Sequence, residues 1–415
     1  MKSQRAVITG LGAITPLGSS IDLFWNGLIS GTSGVRNITQ FDASGFPCQI
    51  AGEIPDFNPE LYLDRKEARR LPRSAQIALV SAIQAVKDAG LPETMPDKER
   101  SAVVYGTALG GIDQIDEGIV ALRTQGINKI SPFTIPFGIP NLSSFLIARQ
   151  FQCLGHNSTI VTACATGTQT IGEAAELIRH GKAEVVISGG TESLIKDYSV
   201  AGFCAMRALP VNYNNNPQAA SRPFDANREG FILSEGAGAV VVESLEHALS
   251  RGAHIYAEIL GHSATSDAFH IAQPDPDAEG AIRTMRWALA DAGIPPHEID
   301  YINAHGTSTP LNDSTETKAI KTVFGEHAYK LAISSTKSMI GHAMGASGTL
   351  EAIACILTVV HGTIHPTINY TTPDPECDLD YVPNHAREQP VRYALSNSFG
   401  LGGQNACVII KRFDD

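Results

Sequence analysis

The sequence predicts an α/β fold with buried sheets, and two observations carry that expectation. Short β-branched runs end in Gly, Ser or Thr and pass directly into helix-forming stretches, with few hairpin signals between them. That strand–turn–helix alternation is the pattern of crossover connections between neighbouring strands. The second observation is an internal repeat. STIVTACATGTQTIGEAAELIRHGKAEVVISGG and KLAISSTKSMIGHAMGASGTLEAIACILTVVHGTIHPT read as two copies of one unit. Each has an apolar strand, a small-residue turn and a long helix opening on Ala, Gly, Ser and Thr. Small residues on so apolar a helix predict close packing, as between two sheets. The spacing of the copies predicts two related halves, 1–253 and 254–415, each of ordinary domain size.

In chain order, AVITGLG opens the fold as a strand and turn. Gly and Pro interrupt the apolar run that follows the basic N-terminus, which argues against a signal peptide. RKEARRLPRS then places Arg65, Lys66, Arg69, Arg70 and Arg73 at helical spacing, giving one basic face. SAVVYGTALGG, STIVTACATG, AEVVISGGTES, AGAVVVESLE, YINAHGTS, KLAISSTKS and NACVIIKRF are the further strands, most with a polar or glycine-rich end. Residues 207–235, rich in Asn, Pro and Arg, are predicted to form a long ordered loop.

Composition narrows the function classes. With 43% hydrophobic and 18% charged residues, the chain is expected to be a soluble globular enzyme, with no uninterrupted apolar stretch long enough to span a membrane. A net charge of −12 disfavours nonspecific nucleic-acid binding. Seven cysteines, none in C-x-x-C spacing, fit free thiols in a reducing, cytoplasmic compartment.

The chemistry concentrates at strand ends. Cys164, in TACATG, is predicted to sit at a helix N-terminus, where the macrodipole and free backbone N–H groups would lower a thiol's pKa. Taken alone, a packed core thiol accounts for it equally well. His305 ends the strand YIN within NAHGTSTPLND, a polar cluster where a buried strand emerges. His342, in STKSMIGHAMGASG, is predicted at the start of the second repeat's helix, near the position matching Cys164 and kept neutral by the helix terminus. Lys337 and Glu351 are isolated charges among small and apolar residues, so one buried network is predicted to hold both. In SNSFGLGGQNA, the N–H of Phe399 could join that of Cys164 as an oxyanion donor.

Together, TACATG, NAHGTSTP, STKSMIGHAMGASG and NSFGLGG, in this order and spacing, resemble the β-ketoacyl-acyl carrier protein synthases of the thiolase-fold superfamily. Among these the resemblance is strongest to the type II elongating synthases of bacterial fatty-acid synthesis, and it covers nearly the whole chain. It implies an αβαβα sandwich of two duplicated βαβαβαββ halves and a homodimer. It implies a Cys164–His305–His342 site in which Cys164 takes an acyl chain as a thioester. The histidines would bind the malonyl thioester carbonyl while CO2 leaves, and the N–H groups of Cys164 and Phe399 would hold the oxyanion. Lys337 and Glu351 match the supporting charged pair, and Thr307 and Thr309 the pantetheine-contacting threonines. Phe399 and Leu401 fall on the gate loop, and Leu109 on the acyl-pocket wall.

The implied partner is an acidic acyl carrier protein, docking at Arg65, Lys66, Arg69 and Arg70 with Arg207. That carrier supplies the phosphopantetheine arm, and no metal or other cofactor is implied. Leu401 and Gln404 in FGLGGQN, and Ala272 in FHIAQP, depart from the family pattern. A polyketide ketosynthase shares the same triad and stays open at this stage. A non-catalytic partner subunit lacks the nucleophile, and a thiolase needs a second catalytic cysteine where this chain has Phe399.

Overall fold

A computed structural model describes residues 4–414. The β-branched runs become two five-stranded arrays. The first comprises β1 (Ala6–Ile14), β2 (Ser101–Gly106), β3 (Asn157–Ser158), β4 (Val185–Glu192) and β5 (Gly236–Ser244). The second comprises β6 (Ala257–Ser266), β7 (Tyr301–Asn303), β8 (Ala332–Ser334), β9 (Tyr393–Gly400) and β10 (Gln404–Arg412). Their spatial orders are β3-β2-β4-β5-β1 and β8-β7-β9-β10-β6, the same permutation twice. In each array the fifth strand runs antiparallel to both neighbours, and the other pairings are parallel. A shared order with a shared exception is the duplication that the two sequence copies predicted.

The arrays meet edge to edge. β1 pairs with β6 through Val7–Glu258 and Ile8–Ala257, so hydrogen bonding runs across ten strands. β6 escaped the sequence reading because its second half, GHSATS, lacks a β-branched run; pairing with β10 supplies what propensity does not. The strand expected over STIV shrinks to Asn157–Ser158, at the edge of the sheet.

Helices form three layers around these arrays. α1 (Arg73–Asp88) covers β1 and β5 from outside, and α3 (Glu279–Ala292), beside α4 (Pro310–Phe324), covers β6 and β10. Between the arrays lie α2 (Thr166–Arg179) and α5 (Ser347–His361), in contact with each other and with strands of both halves. Their small residues permit that closeness. A Cβ on Gly167 would stand 2.5 Å from Thr349 N, and one on Gly348 2.4 Å from Thr168 N. The segment Met344–His361, with mean hydropathy 1.4, has the length and composition of a membrane span, contrary to the expectation that the chain holds none; 89% of it is buried, its apolar surface covered by the two sheets.

The basic segment also differs from expectation. Arg65–Ala68 is a single helical turn capped by Asp64, whose Oδ1 accepts the Lys66 N–H at 2.9 Å, and the chain breaks at Leu71–Pro72 before α1 begins. Arg73 therefore leaves the basic face. It turns inward and donates to both carboxylate oxygens of buried Glu235 at 2.7 Å each. Arg65, Lys66, Arg69 and Arg70 remain exposed. The loop 207–235 is ordered, as predicted. Asp225 within it accepts from Arg222 at 3.1 Å and from the N–H groups of Thr371 and Thr372 at 2.6 and 2.7 Å.

Candidate active site

After β3 the chain turns at Thr162, whose N–H donates to Thr166 Oγ1 at 2.9 Å, and makes one 3-10 turn, Ala163–Ala165, ahead of α2. Ala163 has φ +50°, a left-handed conformation that costs a non-glycine residue on the order of 1 kcal/mol. The second half repeats the device: Met344–Ala346 is a 3-10 turn ahead of α5, and Met344 has φ +42°. These matched turns align Cys164 with Gly345, so His342 lies three residues before the nucleophile's counterpart. It occupies the connection between the short helix Lys337–Ile340 and that turn, rather than a helix start.

Three distant segments nevertheless converge. Cys164, His305 and His342 line one cavity of about 610 Å³, and Sγ and one nitrogen of each imidazole lie within 4.8 Å of one another. The imidazole centroids are 5.5 Å apart with planes at 85°. All three residues are buried.

His305 is clamped from below. Its N–H and that of Gly306 donate to the two oxygens of Glu316, on α4, at 2.8 Å each. Lys337 Nζ lies 3.3 Å from His305 Nδ1 and is ion-paired with Glu351 of α5; both charges are buried. A lysine ammonium has donors only, so Nδ1 accepts and the remaining ring proton belongs to Nε2. His342 is held by backbone: its N–H donates to Ile232 O at 2.7 Å, and its carbonyl accepts the Ser234 N–H at 3.1 Å. The loop 207–235 thus positions this histidine. His342 Nδ1 meets Ser347 Oγ at 2.8 Å, while Nε2 has no partner among the described residues.

Burial holds both imidazoles well below the usual histidine range, and the Lys337 charge lowers them further. His342 is neutral for that reason, and not through the helix terminus that the sequence reading invoked. The expectation for Cys164 is reversed. Burial pushes its thiol up to about 11, against the lowering effect of the Leu401 N–H aimed at Sγ and of Lys337. The resting nucleophile is a thiol.

The hairpin of β9 and β10 closes the site. Phe399 stacks edge-on against His305, with centroids 5.8 Å apart. Gly400 runs so close that a Cβ there would stand 3.0 Å from both Cys164 N and Thr162 O. The turn Leu401–Gly403 needs its glycines, with φ +78° at Gly402 and +68° at Gly403. It is tied to the segment after β6: Gly402 N–H donates to Ile271 O, and Asp267 N–H to Gly403 O, both at 2.9 Å.

Thr307 and Thr309 line the cavity with their hydroxyls 2.9 Å apart, and Phe399, Leu401, Ala272 and exposed Arg207 line it too. Gln404, by contrast, pairs with Gly400 at the start of β10. Leu109 does not join them. It is 42% exposed and outside this cavity, because its loop is turned over buried Glu192, which accepts N–H bonds from Ala108, Leu109 and Gly345 and a hydroxyl bond from Thr107.

Glu192, Glu316 and Ser347 went unnoticed in the sequence. The available signal was an acid at the end of an apolar strand, VVISGGTE, and another on the buried face of α4; burial pushes both carboxyls up to about 7. A Cys–His–His donor set could also suit a metal such as zinc. Here a divalent cation would sit beside the Lys337 ammonium, which opposes it. A second group, Glu176, His262 and Asp291, already has both carboxylates bonded to Arg179 at 2.9 and 2.8 Å.

A buried thiol facing two neutral imidazoles, on a duplicated α/β sandwich, defines a condensing enzyme of the thiolase-like class. The chain belongs to the β-ketoacyl synthase family: the model of that family's N-terminal domain matches residues 3–248 and that of its C-terminal domain residues 256–371. It is an acyltransferase that extends an acyl chain by decarboxylating condensation in fatty-acid elongation.

Among curated relatives, 3-oxoacyl-[acyl-carrier-protein] synthase 2 of Coxiella burnetii is 49% identical, covering 100% of both chains. The protein of the same name from Synechocystis is 47% identical, covering 100% of this chain and 99% of that one. Solved structures with the same fold include a Burkholderia phymatum β-ketoacyl synthase, 34% identical with TM-score 0.92 over 99% of this chain and 100% of that one. Another is a type II PKS ketosynthase in complex with its acyl-carrier protein, 35% identical with TM-score 0.91 and the same coverage.

Proposed function

We propose that Cys164 carries the growing acyl chain as a thioester and that His305 and His342 drive decarboxylation of a malonyl thioester beside it. The observation that carries this reading is the convergence of Sγ and two neutral imidazoles in one buried cavity. In the first half-reaction Sγ attacks the acyl thioester of a carrier protein. A new S–C bond forms, and the thiol proton leaves with the carrier's sulfur. In the second, the bond from the malonyl α-carbon to its carboxylate breaks, CO2 leaves, and the electron pair delocalises onto the thioester oxygen. Two ring N–H donors stabilise that oxygen in a site where burial makes each bond count for more than in water. The α-carbon then attacks the acyl–Cys164 carbonyl, whose oxyanion is held by the N–H of Cys164 and that of Leu401, the backbone donors that reach Sγ, in place of the Phe399 N–H expected from the sequence. The C–S bond breaks, and the thiolate released, facing the N–H of Leu401, takes up a proton from solvent to regain the resting thiol.

The substrates reach this site on the phosphopantetheine arm of an acyl carrier protein. Thr307 and Thr309 flank that arm, and the hairpin of Phe399 and Leu401 gates it. Exposed Arg65, Lys66, Arg69, Arg70 and Arg207, on a chain of net charge −12, form the docking patch for an acidic carrier. The names of the curated relatives, and the complex of the related PKS ketosynthase with its carrier, support this partner. The chain works as a cytoplasmic homodimer whose halves divide at 253/254. The type II PKS ketosynthase among the solved structures favours a second reading of the pathway, but the relatives named 3-oxoacyl-[acyl-carrier-protein] synthase 2 are more similar, at 45–49% against 35%. Incubation with a long-chain acyl carrier protein, followed by peptide mass spectrometry, is expected to place one acyl group on Cys164. An acyl group elsewhere, or none, would defeat this assignment.

A further inference from the structure

Ser347 opens α5, five residues after His342, and its hydroxyl is fully buried. The contact of its Oγ with His342 Nδ1 at 2.8 Å admits two proton arrangements with opposite effects across the ring. If Nδ1 carries the proton and donates to Ser347, then Nε2 presents a lone pair to the cavity. If Ser347 donates to Nδ1, then Nε2 presents an N–H.

The surroundings distinguish the two. Thr170, on the neighbouring α2, donates its hydroxyl to the carbonyl of Gly167 at 2.9 Å. Ser347 makes no such backbone bond among the described residues, and His342 Nδ1 is its one hydrogen-bond partner. Were Ser347 to accept from Nδ1, its own proton would be buried without an acceptor, a penalty that native interiors avoid. Donation to Nδ1 satisfies both groups. It also leaves Nε2–H as the free end of the ring, matching the Nε2 that has no partner among the described residues, on a ring with one nitrogen within 4.8 Å of Cys164 Sγ.

We infer that Ser347 is a positioning residue that locks His342 in the Nε2–H tautomer. Lys337 does the same for His305 from the other side, so both rings offer donors to a single substrate oxygen. It follows that His342 does not accept the Cys164 proton. This inference rests on the reading of the histidines as holders of the malonyl carbonyl.

The test joins spectroscopy to kinetics. In the full-length wild type labelled with 15N-histidine, His342 is expected to show a protonated Nε2 and an unprotonated Nδ1. Ser347→Ala is expected to mix the two tautomers and to lower CO2 release from malonyl carrier protein about three- to tenfold, the worth of one buried hydrogen bond. Ser347→Thr, which keeps the hydroxyl, is expected to restore the wild-type tautomer. A wild-type His342 protonated at Nδ1 overturns the inference, whether or not Ser347→Ala folds. So does a Ser347→Ala protein with unchanged tautomer and CO2 release. His342→Ala, assayed alongside, separates the two claims: unchanged CO2 release there refutes the role of the histidines, while the spectrum still decides the role of Ser347.

Discussion

Lys337 has two duties in this structure, and they can be separated. Among the described residues it is the sole hydrogen-bond partner of the Glu351 carboxylate, whose second oxygen has none, and it donates to His305 Nδ1. Lys337→Met removes both interactions. A carboxylate that is 0% exposed loses its counter-charge, which typically costs about 3–5 kcal/mol. For a chain of this length that corresponds to a fall in Tm of about 3–6 °C. Glu351, already pushed up by burial, limits the loss by taking a proton. Lys337→Met combined with Glu351→Leu removes the orphaned charge, and stability is expected to return to within about 1–2 kcal/mol of wild type. CO2 release from malonyl carrier protein is not expected to return with it. It should stay about 10–100-fold low, the range seen when the hydrogen-bond partner of a metal-ligating histidine is removed. Chemical denaturation measures the first quantity and trapped CO2 the second. A double variant that recovers both would reduce Lys337 to a structural role. A single variant with unaltered stability would refute the buried pair itself.

Two further outcomes follow from the site and its surface. Arg69→Glu with Arg70→Glu is expected to raise KM for the carrier protein at least several-fold, more so at low salt, without moving Tm, because both side chains are exposed; an unchanged KM places docking elsewhere. A thiol held up to about 11 remains protonated at neutral pH, so alkylation of Cys164 by iodoacetamide is expected to quicken about tenfold per pH unit between pH 7 and 10. A rate already level above pH 7 would show a thiolate at rest.

Much of the site was legible because its chemistry sits in compact motifs. TACATG, NAHGTSTP and NSFGLGG each place small or polar residues where an apolar run ends, and the structure gathers these ends around one cavity. The isolated charges Lys337 and Glu351 were readable as a buried pair, since neither had a local partner in so apolar a segment. What escaped the reading depended on burial and on long-range pairing. The direction of the Cys164 shift turns on desolvation, which no residue spacing reveals. Glu192 matters through backbone N–H groups far away in sequence, Glu316 through those of His305 and Gly306 just before its own helix, and the inward turn of Arg73 through distant Glu235. β6 owes its strand to β10, and Leu109 lies outside the cavity lining, on a loop whose backbone is bonded to Glu192. The duplication showed in the two sequence copies, yet the alignment of Cys164 with Gly345 needed the matched left-handed residues Ala163 and Met344.

The claim on which the rest depends is that the thiol and the imidazoles divide the labour: Cys164 holds the acyl chain, and His305 and His342 release CO2. Cys164→Gln, assayed in parallel for condensation and for CO2 release from malonyl carrier protein, addresses it most directly. The account predicts that condensation disappears while decarboxylation continues at a measurable rate; loss of both in equal proportion would contradict it.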